Sequence, residues 1–133
     1  MPIHARIFLV IGALSAFLSV LIGAVAAHLP NEHLAVAVQW FDTGMQYHQF
    51  HSLALLIVGL VIAYRPSRWF VAAGWLMVLG TVLFVGNLYL RSLFGIHDLH
   101  ALTPYGGWAY LAGWLALAIG VATVARKSAT ASE

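Results

Sequence analysis

Residues able to do chemistry in this chain concentrate in one short run. Within 43–64, TGMQYHQFHSLALLIVGLVIAY, Gln46, Tyr47, His48, Gln49 and His51 fall within about two helical turns, and an unbroken apolar segment follows. Imidazole suits zinc, copper and iron as a ligand, and it also donates and accepts hydrogen bonds. His48-x-x-His51 puts two rings on one side of a helix, although the familiar paired-histidine spacing on a helix is i, i+4 and a third ligand must come from elsewhere. Further polar residues lie at the ends of other apolar segments: His28, Asn87 and Arg91. Ionisable groups among apolar residues of this kind are costly inside a membrane, so each needs a partner or a role.

The elements that must position these residues are set by composition. Of 133 residues 62% are hydrophobic and 8% charged, with a mean hydropathy of +0.92, which excludes an ordinary soluble domain and points to an integral membrane protein. A bilayer core of about 30 Å takes roughly 20 helical residues. Four apolar stretches meet that length, 7–27, 45–64, 69–90 and 107–125, and they fill most of the chain. The expected fold is therefore all-α: one transmembrane domain over 1–133, a four-helix bundle with no room for a second domain. The net charge of +2 comes from terminal and loop residues, which gives nucleic-acid binding no support. With no cysteine, disulfides and thiolate ligands are excluded.

The first stretch, with Arg6 before it and Ala24-Val25-Ala26 near its end, imitates a signal peptide, but its apolar run is longer than a usual signal core and an uncleaved span is expected. Gly12, Ala16, Ser19, Gly23 and Ala26 share one helical face on which a second helix can approach closely. Pro30 ends the span, and Asn31 is a candidate cap for a short amphipathic helix over 32–41, suited to the membrane interface. Asp42 or Thr43 then caps the second span. The turn Arg65, Pro66, Ser67, Arg68 is short enough to force antiparallel neighbours. In the third span Gly80, Phe84, Asn87 and Arg91 form a stripe, and in the fourth Gly106, Gly113, Ala116 and Gly120 form another small-residue face.

Arg6, Arg65, Arg68, Arg126 and Lys127 all fall at one end of a four-span bundle, while 28–44 and 92–104 contain no lysine or arginine. The positive-inside rule makes the basic end cytoplasmic, with both termini there. His28, His48, His51, Asn87 and Arg91 then gather at similar depth on the outer side. Three readings compete for that cluster. It can be structural, with cross-helix hydrogen bonds and Arg91 reaching toward the interface. It can hold a metal or haem, with His28, His48 and His51 as the candidate ligands. It can be a pocket for a small ligand, a lipid head group or a quinone-like ring, with Gln46, Tyr47, the histidines, Asn87 and Arg91 as contacts and Trp40, Tyr47, Phe50 and Tyr105 as walls. No cofactor is required by the residues, and no nucleophile, carboxylate pair or phosphate-binding glycine loop is present, so a non-enzyme is expected.

Four segments together resemble a known family. Gly23-Ala24-Val25-Ala26-Ala27-His28 is similar to a Gly-Ala-Phe-Gly-Ala-His motif. The segment Thr43-Gly44-Met45-Gln46-Tyr47-His48-Gln49-Phe50-His51-Ser52-Leu53-Ala54 resembles Thr-Ala-x-Gln-Tyr-x-x-Tyr-His-Ala-Leu-Ala. Phe84-Val85-Gly86-Asn87-Leu88-Tyr89 resembles Phe-Ser-Gly-Ser-Leu-Tyr, and Leu102-Thr103-Pro104-Tyr105-Gly106-Gly107 resembles Ile-Thr-Pro-x-Gly-Gly. In this order they are the motifs of the YgdD/YwdK-like family of small four-helix bacterial inner-membrane proteins, a domain-of-unknown-function family. The resemblance covers about residues 5–125 and implies a multi-pass protein of the bacterial inner membrane, without an activity to carry over. It puts His28, Gln46, Tyr47, His51, Thr103, Pro104, Gly106 and Gly107 on family motif positions, while His48 and Asn87 depart from them, so a His48/His51 metal site would be peculiar to this chain.

Two functional expectations follow: a non-catalytic accessory subunit of a larger membrane complex, or of a self-association, surrounded by membrane lipids; or a ligand- or metal-binding protein using the outer cluster. Within that cluster His51 is expected to be the centre, facing into the bundle with Tyr47 and converging with His28 and Asn87. His48, rotated about 60° from it, is expected to edge toward neighbouring helices or the loop and to matter less than His51.

Overall fold

A computed structural model describes residues 1–29 and 38–130, with side chains of the last helix described to residue 124. Helix α1 spans Ile3–Ala27 and α2 spans Val38–Tyr64. Helix α3, Arg68–Gly80, continues without a break through a π-helical turn, Thr81–Val85, into α4, Gly86–Phe94. A 3₁₀ turn, His100–Leu102, leads into α5, Thr103–Thr130. Four stretches, Ile3–Ala27, Val38–Tyr64, Arg68–Phe94 and His100–Val124, are long and apolar enough to cross a membrane. The fold is an all-α membrane bundle.

Local chemistry explains several boundaries. Ser67 caps α3, its hydroxyl accepting from the Trp69 N–H at 3.3 Å. Gly95 ends α4 in the left-handed conformation at φ 65°, which only glycine adopts without cost, and the Ile96 N–H folds back to the Leu90 carbonyl. Pro104 sits in the first turn of α5, where no intrahelical N–H is needed.

Two expected boundaries are corrected. Helix α2 starts at Val38, so Asp42 and Thr43 lie inside it and cap nothing. The first turns are held by tertiary contacts that outweigh local propensity: the Phe41 ring lies 5.8 Å from Tyr89, and Gly44 sits against Leu88 and Tyr89. Of the amphipathic helix expected over 32–41, residues 32–37 lie outside the described residues, and 38–41 are the first turn of α2. The other correction concerns the third span. The Gly86 N–H donates to the Thr81 carbonyl five residues back, so one extra residue enters the turn and rotates everything after it. The stripe Gly80, Phe84, Asn87, Arg91 is thereby split: Gly80 packs on Tyr110, Asn87 reaches Leu99 and Arg91 reaches Trp40.

Helices in lipid gain nothing from hiding apolar surface from other apolar surface, so close packing must come from small residues. Helix α1 lies antiparallel on α2 with Gly12 against Leu56 and Ser52, and Gly59 against Leu9 and Ala5. Helix α3 and the π turn lie antiparallel on α5, with Gly113 on Met77, Gly120 on Phe70 and Gly106 on the Phe84 backbone. At the end of the bundle carrying the N-terminus and the 65–67 turn the core is wholly apolar, built from Ala5, Phe8, Leu55, Val58, Ile62 and Phe70. Buried polar side chains, Ser19, His48, His51, Ser52, Asn87 and Ser92, belong to the other half. The chain thus keeps its buried polar side chains in one half of the bundle.

A Cβ built on Gly106 would lie 2.5 Å from the Phe84 amide nitrogen, a backbone atom that cannot swing aside. Gly106→Ala is expected to separate the π turn from α5 and cost about 1 to 3 kcal/mol, read as a lowered unfolding temperature in detergent; an unchanged temperature would mean the two backbones are not in such close contact.

Candidate functional site

His48 and His51, three residues apart on α2, are both buried, at 6% and 3% exposure. His48, expected to edge toward neighbouring helices or the loop, meets neighbouring helices and is buried like His51. The two rings diverge by less than a right angle around the helix, yet this is enough to serve different neighbours.

His48 faces α1 and α4. Its Nε2 lies 3.0 Å from Ser15 Oγ and its Nδ1 3.0 Å from the Tyr89 hydroxyl. Counting protons fixes the direction of this network. The Ser52 hydroxyl donates to the His48 carbonyl at 2.7 Å, so in its 2.6 Å contact with Ser15 it is the acceptor and Ser15 the donor. Ser15, with its proton spent, accepts from His48 Nε2–H, and Nδ1 accepts from Tyr89. Met45 Sδ stands 3.7 Å from the same Tyr89 hydroxyl as a weaker acceptor. His48 is thus held as the Nε2–H tautomer, and α1, α2 and α4 are linked by one chain of bonds.

His51 faces α5. Its Nδ1 lies 2.9 Å from the Tyr47 carbonyl, which can only accept, and its Nε2 lies 3.1 Å from Trp114 Nε1–H, which can only donate. His51 is therefore the neutral Nδ1–H tautomer, opposite to His48. Its ring stacks on Tyr110 with centroids 3.5 Å apart and planes 16° apart. Tyr110 in turn donates to Thr81 Oγ1 at 3.0 Å, and Thr81 donates to the Met77 carbonyl at 2.9 Å. Thr81 opens the π turn, so the segment where the helix departs from α geometry is also the one that anchors Tyr110.

Beside this stack, between α2 and the first turns of α5, lies a cleft of about 580 Å³. Gln46, Tyr47, Phe50 and His51 line one wall, Gly107, Tyr110, Leu111 and Trp114 the other, and Phe84 of the π turn closes the end. Tyr47 and Phe84 approach to 4.7 Å between centroids, and Phe50 and Trp114 to 5.5 Å. Among the described residues no Asp, Glu, Lys or Arg lines the cleft. Its mouth is apolar: Tyr47, Phe50 and Leu111 remain exposed.

The other expected residues stand apart. His28 is exposed, its Nδ1 turned back to the Ala24 carbonyl at 2.7 Å. Asn87 donates to the Leu99 carbonyl, and Arg91 lies over the Trp40 ring at 3.9 Å, with His97 edge-on to the same indole. The expected convergence of His28, His51 and Asn87 does not occur: the ring neighbours of His51 are Tyr47, Phe50, Tyr110 and Trp114. Of the expected aromatic walls, Tyr47 and Phe50 serve, Trp40 belongs to Arg91, and Tyr105 is 65% exposed. Among the described residues no three His, Asp or Glu side chains come close enough to hold a metal ion. Both nitrogens of His48 and of His51 are also occupied by hydrogen bonds.

Sequence reasoning missed Ser15, Ser52, Thr81, Tyr89, Tyr110 and Trp114. Their signal was present: each is a polar or amphipathic residue within an apolar span, where its hydroxyl or N–H must find a partner.

His51→Leu leaves Trp114 Nε1–H without an acceptor and is expected to cost about 1 to 3 kcal/mol, whereas His51→Gln keeps an acceptor and costs less. His48→Gln, which at first sight preserves donor and acceptor, reaches only one of two divergent partners and is expected to cost about 1 kcal/mol. Thermal unfolding of the three variants in detergent ranks them; a silent His51→Leu would remove His51 from its central place.

A family model described as "Protein of unknown function (DUF423)" matches residues 22–107. The UPF0382 inner membrane protein YgdD of Escherichia coli strain K12 is 37% identical over 124 residues, covering 92% of this chain and 95% of the relative. The UPF0382 membrane protein YwdK of Bacillus subtilis strain 168 is 38% identical over 120 residues, covering 86% and 94%. The UPF0382 membrane protein SH2409 of Staphylococcus haemolyticus is 39% identical over 121 residues, covering 86% and 93%. No solved structure matches the chain. The four motif segments and the four apolar helices thus belong together: this chain is a member of the DUF423 family and, like YgdD and YwdK, a membrane protein.

Proposed function

We propose that the protein binds a small membrane-soluble molecule in the cleft between α2 and α5. The observation that carries this reading is the cleft itself. Its volume of about 580 Å³ falls within the range of roughly 300 to 1,000 Å³ typical of ligand sites, and aromatic walls with a few polar groups are the usual lining. The exposed apolar residues at its mouth favour entry from the bilayer. Close-packed helices would have filled such a space with side chains; here the stack of His51 on Tyr110 supports one wall without closing it.

A second reading, an accessory subunit of a larger membrane complex, draws on α1, whose outer face carries exposed Leu14, Phe17 and Leu21. Lipid covers such a face equally well, so the cleft is the stronger support. Mass spectrometry of the protein released from mild detergent separates the two: a retained small molecule is the expected result, and a stoichiometric partner protein with no small molecule would favour the accessory reading.

For orientation, we propose the inner membrane of a bacterium with both termini in the cytoplasm. Support comes from Arg6, Arg65, Arg68, Arg126 and Lys127 at one end and from the absence of lysine and arginine in 28–44 and 92–104. Reporter fusions at Ser67 and at the C-terminus should both report cytoplasm; a periplasmic signal from either reverses the assignment.

A further inference from the structure

Gly106 and Gly107 are adjacent but meet opposite surroundings. At Gly106 an added Cβ would strike the Phe84 backbone at 2.5 Å, and at Gly80 the Tyr110 ring at 2.5 Å. Gly12, Gly59, Gly74, Gly113 and Gly120 likewise have a neighbouring helix in the place of their missing side chain. At Gly107 no atom of the described residues lies within 4 Å of an added Cβ, and the backbone there is not in the left-handed region. Neither helix packing nor backbone geometry needs a glycine at this position, while glycine within a helix carries a cost relative to alanine. What Gly107 does border is the cleft. Its missing side chain adds room there.

The rest of the lining describes what would use that room. Among the described residues no formal charge faces the cleft, and His51 has both nitrogens committed, so a charged ligand would be buried there without a counter-ion. Tyr47, Phe50 and Phe84 are lining rings that are not fully buried, and aromatic walls of this kind suit a flat conjugated partner. The Gln46 amide and the Tyr47 hydroxyl are the groups on the wall able both to donate and to accept toward a ligand carbonyl or hydroxyl, and only the amide carries two donors.

We infer that Gly107 is the specificity-determining position of this cleft, and that the cleft takes an uncharged, planar ring of the quinone class, seated over Gly107 with its carbonyl edge at Gln46. This rests on the ligand-binding reading above. The ring enters from the bilayer, past Phe50 and Leu111, and carries any apolar tail in the lipid.

The full chain in lipid nanodiscs is titrated with decyl-ubiquinone, and quenching of tryptophan fluorescence is followed, Trp114 being on the cleft wall. Wild type is expected to show saturable quenching. Gly107→Leu, which meets no protein atom at its Cβ, is expected to keep the wild-type unfolding temperature and to weaken binding by about tenfold or more. Should leucine impair folding, Gly107→Ala must still weaken binding measurably. The anionic ring 2-naphthoate is expected not to compete. Equal affinity of wild type and the Gly107 variants overturns the role of Gly107. Competition by 2-naphthoate as strong as by a neutral quinone overturns the ligand class. Retention of some other molecule on purification, with no quinone binding, also overturns the class while leaving the ligand-binding reading standing; no retained molecule and no binding overturns both.

Discussion

Two imidazoles side by side on α2 must each find a donor and an acceptor where water is absent, and the arrangement of the other helices follows from how they do so. His48 takes Ser15 from α1 and Tyr89 from α4; His51 takes Trp114 from α5 and its own helix carbonyl. Helix α2 is consequently tied on both flanks. Single hydrogen bonds across membrane helices are worth only about 0.6 kcal/mol on average, so the network does not hold the bundle together by strength. It selects among arrangements instead. Any rotation of α2 that satisfied one ring would strand the other, and a stranded buried group costs more than a made bond gains, about 1 to 3 kcal/mol.

Much of the fold was readable from residue order because a bilayer leaves few choices. An apolar run of the right length must be a helix, and four of them with one tight turn at 65–68 must form antiparallel neighbours. What could not be read lies where tertiary contacts overrule local signals. Asp42 and Thr43 look like a helix start, yet with Phe41 on Tyr89 and Trp40 beneath Arg91 the helix is already formed at Val38. The π turn at Thr81–Val85 leaves no mark in periodicity that differs from a shifted stripe, so Phe84, Asn87 and Arg91 were expected on one face and are found serving three neighbours.

The candidate site was half legible. Gln46, Tyr47 and His51 announce themselves because polar residues crowd one end of an apolar span, and all three line the cleft. Position along a helix gave their depth but not their partners. His28, Asn87 and Arg91 lie at comparable depth and still point elsewhere, since depth alone does not set the azimuth of a side chain. His48 illustrates the same point in reverse: rotated from His51, it was expected to edge toward neighbouring helices or the loop, and α1 approaches so closely at Gly12 that this side becomes a second buried interface.

The cleft persists because two fixed rings keep its walls apart. Tyr110 occupies the space left by the absent side chain of Gly80, which presses its ring against α3, and its hydroxyl is held by Thr81. His51 stacks on that ring and is itself fixed by Trp114, so α2 meets α5 through aromatic rings rather than backbone to backbone. Rings held between two helices keep their axes further apart than the glycine contacts allow α1 on α2 or α3 on α5, and just beyond the stack nothing fills the difference. Gly107 widens that gap at the point where Gly106, one residue earlier and rotated about 100° away, draws α5 tightly onto Phe84. One pair of glycines therefore closes the bundle on one side and leaves it open on the other.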